Sequence, residues 1–467
     1  MNSVDVFIVG AGPAGMAAAI TARRYGLSVM VVDEQPAPGG QIWRSIETAA
    51  RRDEILGKAY VEGRAIAQAF RASGAIYEPD MRLWQIERGF RTFISRGRQA
   101  QTVESATVIL AVGAQERPVP FPGWTLPGVL TVGAAQILLK SSGQIPARPV
   151  WIAGSGPLPL LYAVQLVRAG GQIAGYLDTT PAGQWIKAMR HLPRALRAAS
   201  DLVKGLGWMA ELRKSKVAYV SGVTDIEVTG DGRVETLRYR VRGGSFRSAP
   251  AEMLLVHEGV VPNIYPALSL DCDMKWDSAQ ECFSPVVDQW GESSLADLFI
   301  AGDGAGIAGA KAAVLRGEIA AVRVAARLGR LSEAESIDDV RGVRRKLDRE
   351  LAARPFIDAL YRPRPQIFAP CDATIICRCE EITAGDVRAL GQVGRPGPNQ
   401  LKAATRAGMG PCQGRQCGYT VARLLAATQN RAPSDVGFFH IRPPLKPVTL
   451  AELASLEQQT ASELLEP

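Results

Sequence analysis

The chain is poor in histidine, with only His191, His257 and His440, and this nearly excludes a histidine-rich metal site. It has no uninterrupted run of about 18 apolar residues, so no helix is expected to span a membrane. No Lys/Arg run and no ladder of aromatic and basic residues is present, which argues against nucleic acid despite a formal charge of +8. That surplus leaves an anionic membrane surface or an acidic partner protein open. Residues 1–5 lack a basic segment and pass straight into an apolar strand pattern, so no secretory leader is expected. The expected location is the cytoplasm, with contact at the inner face of the membrane still open. Cysteine is sparse as well. The seven are odd in number, and four of them form two tight pairs, which suits a reducing compartment and metal ligation better than a disulfide framework. No Ser/His/Asp set, carboxylate pair or clamp of arginines is recognisable, so the catalytic residues are unknown.

With 467 residues, and about 150 per domain, roughly three domains are expected. Apolar residues at 47% and charged residues at 21% are values of a globular protein, and 47 glycines point to many tight turns and close backbone approaches.

Residues 4–9 read as an apolar strand that runs into Gly10-Ala-Gly12-Pro13-Ala14-Gly15 and then an Ala-rich helix to Tyr25. In such a unit the first glycine makes the turn, the second admits a pyrophosphate, and the third lets helix pack on strand. The phosphates rest on free N–H groups at the helix N-terminus. Leu27 to Val32 reads as the next parallel strand and ends at Asp33-Glu34, about 20 residues beyond the glycines, where a carboxylate accepts ribose hydroxyls. Asp33 is favoured, with Glu34 as the near alternative. The loop Pro38-Gly39-Gly40-Gln41 would bring backbone and an amide close to a flat ring. Two more apolar strands end at Ala111 and Gly113-Ala114 and at Gly302-Asp303-Gly304, and a helix is expected over 305–326, with Lys311 in its first turns. Asp303 suits either a ribityl hydroxyl or a helix cap.

These strand ends, with Gly39-Gly40-Gln41, Gly113-Ala114-Gln115-Glu116-Arg117 and Gly302-Asp303, resemble the flavoproteins with two dinucleotide-binding domains, among them thioredoxin reductase-like enzymes. The likeness covers residues 1 to about 330. It implies FAD in the first site.

Val150 to Ala153, Gly154-Ser-Gly156-Pro-Leu-Pro159, a helix over 160–169 and a strand ending at Asp178 repeat the first unit. Pro159 stands where the third glycine belongs, so the second site reads as degenerate and NAD(P) is not expected there. The thiol pair of disulfide reductases is absent beside the flavin site, since Cys272 and Cys282 lack the spacing. The insertion 184–216 interleaves basic and apolar residues at helical spacing. It reads as a helix for a membrane surface, a partner or plain solvent. Residues 217–228 and 234–241 read as a hairpin turning at Gly230-Asp-Gly232. Boundaries are expected at 1–115 with 258–330 for the first domain and at 116–257 for the second. A linker over 331–370, extended near Arg362-Pro-Arg-Pro365, leads to a four-cysteine domain over 371–430 and a tail over 431–467. The fold class is α/β: two Rossmann-like three-layer domains and a small, mainly helical third.

The third holds Cys377-Arg-Cys379 and Cys412-Gln-Gly-Arg-Gln-Cys417, with short helices expected over 383–390 and 400–406 and a longer one from Cys417-Gly418 to about Ala427. Four cysteines suit structural zinc or a 2Fe-2S cluster, and an adjoining flavin domain favours the cluster. Residues 371–428 resemble the bacterioferritin-associated ferredoxin-like domain, which by that likeness makes all four cysteines cluster ligands. With Arg442-Pro-Pro-Leu-Lys-Pro447 added, nearly the whole chain resembles the alpha subunits of heteromeric opine oxidases and D-hydroxyproline dehydrogenases. Subunits of hydrogen cyanide synthase and heterotetrameric sarcosine oxidase are similar. The resemblance implies an oxidoreductase subunit for CH-NH donors, with a flavin-containing beta subunit oxidising the amine. A small additional subunit, FMN at a subunit interface and a quinone-type acceptor belong to the same expectation.

Overall fold

Val29–Val32 is apolar at every position, as a strand covered on both faces must be, and it lies parallel to Asn2–Val9 with Val6 against Val29 and Val9 against Val32. Around this pair the computed structural model, which describes residues 2–49 and 52–463, builds a first sheet. Its parallel strands run Ile76–Glu78, Val29–Val32, Asn2–Val9, Gln99–Leu110 and Leu298–Ile300. Arg91–Arg96 and Arg82–Ile86 extend it antiparallel from the first half of Gln99–Leu110.

A second sheet is wholly parallel, in the order Tyr219–Ser221, Ile173–Asp178, Val150–Gly154, Leu254–His257 and Val129–Thr131. Two short antiparallel strands, Ala114–Glu116 and Val260–Pro262, carry the chain between the sheets. The expected hairpin is a three-stranded sheet of Val223–Thr229, Thr236–Val241 and Phe246–Pro250, while Tyr219–Ser221 joins the parallel sheet. Gly222, with φ +73, turns the chain between those two roles.

The helix expected from residue 305 begins later. Gly302–Ala305 is a 3-10 turn and the helix is Ala310–Arg327. The Asp303 carboxylate accepts the Ala308 and Gly309 N–H groups at 2.8 and 2.9 Å, holding the intervening loop as a cap. Ala310–Arg327 packs on Pro13–Arg24 so closely that a Cβ on Gly317 would sit 2.1 Å from the Ala14 carbonyl oxygen. The insertion is three helices, Gln184–Met189, Leu192–Ala195 and Ala199–Lys214, because Pro193 starts a new one.

The expected linker is largely helical and docked. Glu333–Glu350 opens with the Ser332/Glu335 capping box and buries Ser336 and Val340, and Arg354–Leu360 follows with Pro355 in its first turn. Buried Arg364 pairs with buried Glu258 at 2.7 Å and donates to the Thr224 carbonyl at 2.6 Å. In the cysteine module the helices are Ala384–Gly391, Pro398–Thr405 and Gly418–Thr428. Its core joins Val421, Leu425 and Phe439 to Val261, Tyr265 and Phe283 of the returning chain. The tail is strapped across the first sheet, where Leu445 donates to the Trp84 carbonyl at 2.7 Å and Lys446 pairs with Glu34. Buried Glu452 meets Arg82, and the Ala100 N–H donates to Ser455 Oγ at 2.9 Å.

Candidate functional site

The first helix starts at Pro13 with Gly12 as its cap residue, and no side chain satisfies its free N–H groups. These donors and the helix dipole stand at the carboxyl end of the first sheet, where open α/β sheets bind ligands. Gly10 has φ +101, and a Cβ there would meet the Ala111 carbonyl oxygen at 2.5 Å. A Cβ on Gly15 would meet the Gly10 carbonyl oxygen at 1.8 Å, so helix, turn and Ala111 close up only around glycine. Gly40 lies against Gly12, which brings the expected ring-contacting loop to the cradle. Asp33 accepts the Ala11 N–H at 2.6 Å and the Gln35 N–H at 2.8 Å. Burial pushes its carboxyl upward, and those two N–H groups oppose the rise.

Glu34, the alternative acid, is taken by Lys446 from the tail. The Gln41 side chain accepts from Arg44 at 2.8 Å, and its carbonyl accepts from Lys140 at 3.1 Å. Arg44 Nε is buried without a partner beside Asp33, an orphan donor suited to a phosphate or ribose oxygen. The Gly113 carbonyl accepts the Asn263 N–H, and Gly302 packs on Ala14. Lys311 is exposed at the start of its helix. Half-buried Arg316 instead donates to the Gly302 and Gly306 carbonyls, at 3.1 and 2.6 Å. Free N–H groups, side-chain-free glycines, an acid at the strand end and one unpartnered guanidinium N–H together fit an anionic dinucleotide such as FAD. Arg44, Lys140 and Arg316 were missed from sequence. Only the run Gly40-Gln41-Ile-Trp-Arg44 held a signal, an arginine close behind the ring-contacting loop.

At the second site, Gly156 caps Pro157–Arg168, and Pro159 removes an N–H donor that Gly15 supplies in the first. Gly154 packs on the His257 carbonyl. Asp178 is already used, by the Thr180 N–H at 2.9 Å and the Tyr219 hydroxyl at 2.7 Å, with Tyr361 beside it. The insertion leaves from this strand end and is pinned to the linker, Ala195 and Ala198 against Ala352 and Ala353. Buried His257 Nδ1 lies 2.7 Å from the Glu116 carboxylate, whose other oxygen accepts the Gly133 N–H at 2.9 Å.

Cys377 and Cys379 sit on a tight hairpin, Ile375–Cys377 against Ile382–Thr383. Cys412 and Cys417 bound the loop that leads into Gly418–Thr428. The thiols influence one another most in two pairs, Cys377 with Cys417 and Cys379 with Cys412, and Cys417 lies within electrostatic reach of the other three. The hydrogen bond from Cys417 lowers the Cys377 thiol to about 6, helped by the N–H groups of Gly408, Glu380 and Cys379 and opposed by burial. The same bond, with burial, drives Cys417 far up. A Cβ on Gly410 would fall 2.2 Å from Cys379 Cβ, so the second loop wraps the first pair only without a side chain there. Among the described residues no three Cys, His, Asp or Glu close into a cage for one ion. Two thiol pairs with N–H groups aimed at sulfur suit an anionic cluster of two irons.

The module meets the flavin-type fold directly. Gln115 Nε2 donates to the Arg415 carbonyl at 3.1 Å, Arg415 lies 4.5 Å over the Tyr265 ring, and Trp124 Nε1 donates to the Ile375 carbonyl at 2.6 Å. Among the described residues no helix is long and apolar enough to cross a membrane.

Comparison with known proteins agrees with this layout. Residues 4–329 match the family described as pyridine nucleotide-disulphide oxidoreductase, and residues 375–427 match the BFD-like [2Fe-2S] binding domain. An opine oxidase subunit of Agrobacterium tumefaciens (strain Ach5) is 43% identical, over 97% of this chain and 92% of its own. Hydrogen cyanide synthase subunit HcnB of Pseudomonas protegens is 32% identical, over 98% of this chain and 99% of its own. The solved L-proline dehydrogenase from P. horikoshii has the same fold, with TM-score 0.72 at 19% identity, covering 97% of this chain and 79% of that one. The chain therefore belongs to the pyridine nucleotide-disulphide oxidoreductase family, in the branch of these opine oxidase subunits, and is a flavin oxidoreductase subunit with an FAD-binding fold and a C-terminal [2Fe-2S] domain.

Proposed function

We propose that the chain is the electron-transferring subunit of a heteromeric dehydrogenase for CH-NH donors of the opine or hydroxyproline class. In this reading a flavin-containing partner subunit oxidises the amine, and this subunit relays electrons between the partner flavin, its own cluster and its own FAD toward a quinone-type acceptor. When bound, FAD supplies one- and two-electron redox chemistry and the cluster one-electron chemistry. Gly10, Gly12, Pro13, Ala14 and Gly15 cradle the pyrophosphate, and Asp33 receives ribose hydroxyls. Gly40, Gln41, Ala111, Gly113, Gly302 and Asp303 line the rest of the FAD site. Cys377, Cys379, Cys412 and Cys417 hold the cluster.

The observation that supports this most is the seam of Gln115, Arg415, Tyr265 and Trp124, which makes the cysteine module and the flavin-type fold one body sharing one core. A fixed separation is what a relay needs, whereas a zinc clasp would serve equally well at the end of a flexible tether.

The test is co-purification from the source, followed by anaerobic addition of the donor. Reduction of cluster and flavin by an opine only when a flavin-containing partner is present is the expected result. Full-rate donor oxidation by this chain alone would remove the relay role. Rapid bleaching of its flavin by NADH would make it a self-sufficient reductase instead.

A further inference from the structure

The insertion between Asp178 and Tyr219 is anchored on its inner side and bare on its outer side. Ala188, Ala195, Ala198 and Leu212 are buried, and Trp208 and Met209 pack on the main core. Facing out are Trp185, Ile186, Met189, Leu196, Val203 and Leu206, between 44% and 66% exposed. Lys187, Arg190, Arg194 and Arg197 are exposed among them. Over residues 184–216 there are eight Lys/Arg against two acidic residues, Asp201 and Glu211, and Glu211 is paired with Arg168.

We propose that this face is a docking surface for the headgroup layer of an anionic lipid bilayer. Charge complementarity and the arrangement of the charges choose the occupant. A stable protein–protein interface gathers apolar side chains at its centre and sends charge to the rim. Here three of the four exposed cations directly follow an exposed apolar residue in sequence, Lys187 after Ile186, Arg190 after Met189 and Arg197 after Leu196. Interleaving of that kind matches a headgroup layer, where Trp and Leu sink below the phosphates while Lys and Arg extend up to them. The face is spread over three helices of 6, 4 and 16 residues, none able to cross a membrane, so the docked insertion would lie on the bilayer with only its outward apolar side chains below the phosphates.

This inference goes beyond the relay reading and can fail while that reading stands. The full flavin-loaded chain is sedimented with vesicles of phosphatidylcholine alone and of phosphatidylcholine with phosphatidylglycerol. Binding to the anionic vesicles only, weakened by added salt, is expected. Arg194→Gln/Arg197→Gln should weaken it about thirtyfold. Trp185→Ser/Leu206→Ser should weaken it at least about tenfold, with flavin content and melting unchanged, since both side chains are exposed. Equal binding to both vesicle types, binding to neither, or variants that bind like the parent would each overturn the proposal. Variants that lose a partner subunit while keeping vesicle binding would assign the face to a protein interface and overturn it as well.

Discussion

Substituting Gly317 by alanine should empty the flavin site from a distance. The added Cβ would stand 2.1 Å from the Ala14 carbonyl oxygen, while ordinary contact begins near 3.4 Å. The obstructing atom is backbone within Pro13–Arg24, so no side chain can swing away and the two helices must part by more than 1 Å. Overpacking of this kind costs about 1–3 kcal/mol, and the rigid neighbour places it at the upper end. The first turn of Pro13–Arg24 presents the free N–H groups of the cradle, and moving it loosens charge-assisted bonds worth about 1.5–3 kcal/mol each. Loss of the equivalent of two such bonds weakens FAD binding by at least about a hundredfold. Flavin retained after desalting, measured by absorbance, and thermal unfolding followed by circular dichroism read the two effects separately. Gly342→Ala is the matched control. It lies mid-helix in Glu333–Glu350 with nothing within 4 Å, and should stabilise by about 0.5–1 kcal/mol with flavin unchanged. If Gly317→Ala melts and holds FAD like the parent, the close approach is wrong, and with it the argument that this glycine sets the cradle.

Cys377→Ser or Cys412→Ser should remove the cluster, measured as iron and acid-labile sulfide, while leaving FAD bound and stopping turnover with an external acceptor. Coupled turnover that survives cluster loss would reduce the four cysteines to a structural clasp. Arg364→Met leaves Glu258 buried and unpaired, at a cost of about 3–5 kcal/mol in denaturant unfolding, whereas Glu258→Gln/Arg364→Met together should recover most of it. Equal losses in the single and double variants would show that the pair is not the cause. Burial lowers Lys140 to about 7, so between pH 7 and the unfolded value near 10.5 the unfolded chain binds the extra proton. Stability of the parent relative to Lys140→Met should therefore fall by up to about 1.4 kcal/mol per pH unit as pH drops through that window, and level off below pH 7. A difference independent of pH would mean that Lys140 stays charged in the folded chain.

Much of the architecture was legible because it is written locally. A buried parallel strand, a glycine turn and a helix start lie within about 20 residues of one another, and their chemistry depends on neighbours in sequence. The same holds for the cysteine pairs and for Pro159, whose own missing N–H takes one donor from the start of Pro157–Arg168. What only the tertiary structure decided involves partners far apart in the chain. Lys446 reaches Glu34 across 412 residues, which leaves Asp33 as the strand-end acid at the first cradle. Lys140 sits among apolar residues in a helix and becomes a partner of the Gln41 loop only once two domains meet. Asp303 is drawn into capping because the chain makes a 3-10 turn before Ala310–Arg327, a delay that helical periodicity does not encode. The expected linker turned out to be docked structure because Arg364 finds Glu258, the residue that follows the second-sheet strand Leu254–His257. Hydrophobic period and turn chemistry act over a few residues and can be read from the chain. Which buried charge finds which partner depends on packing between sheets, and no short stretch of sequence carries that information.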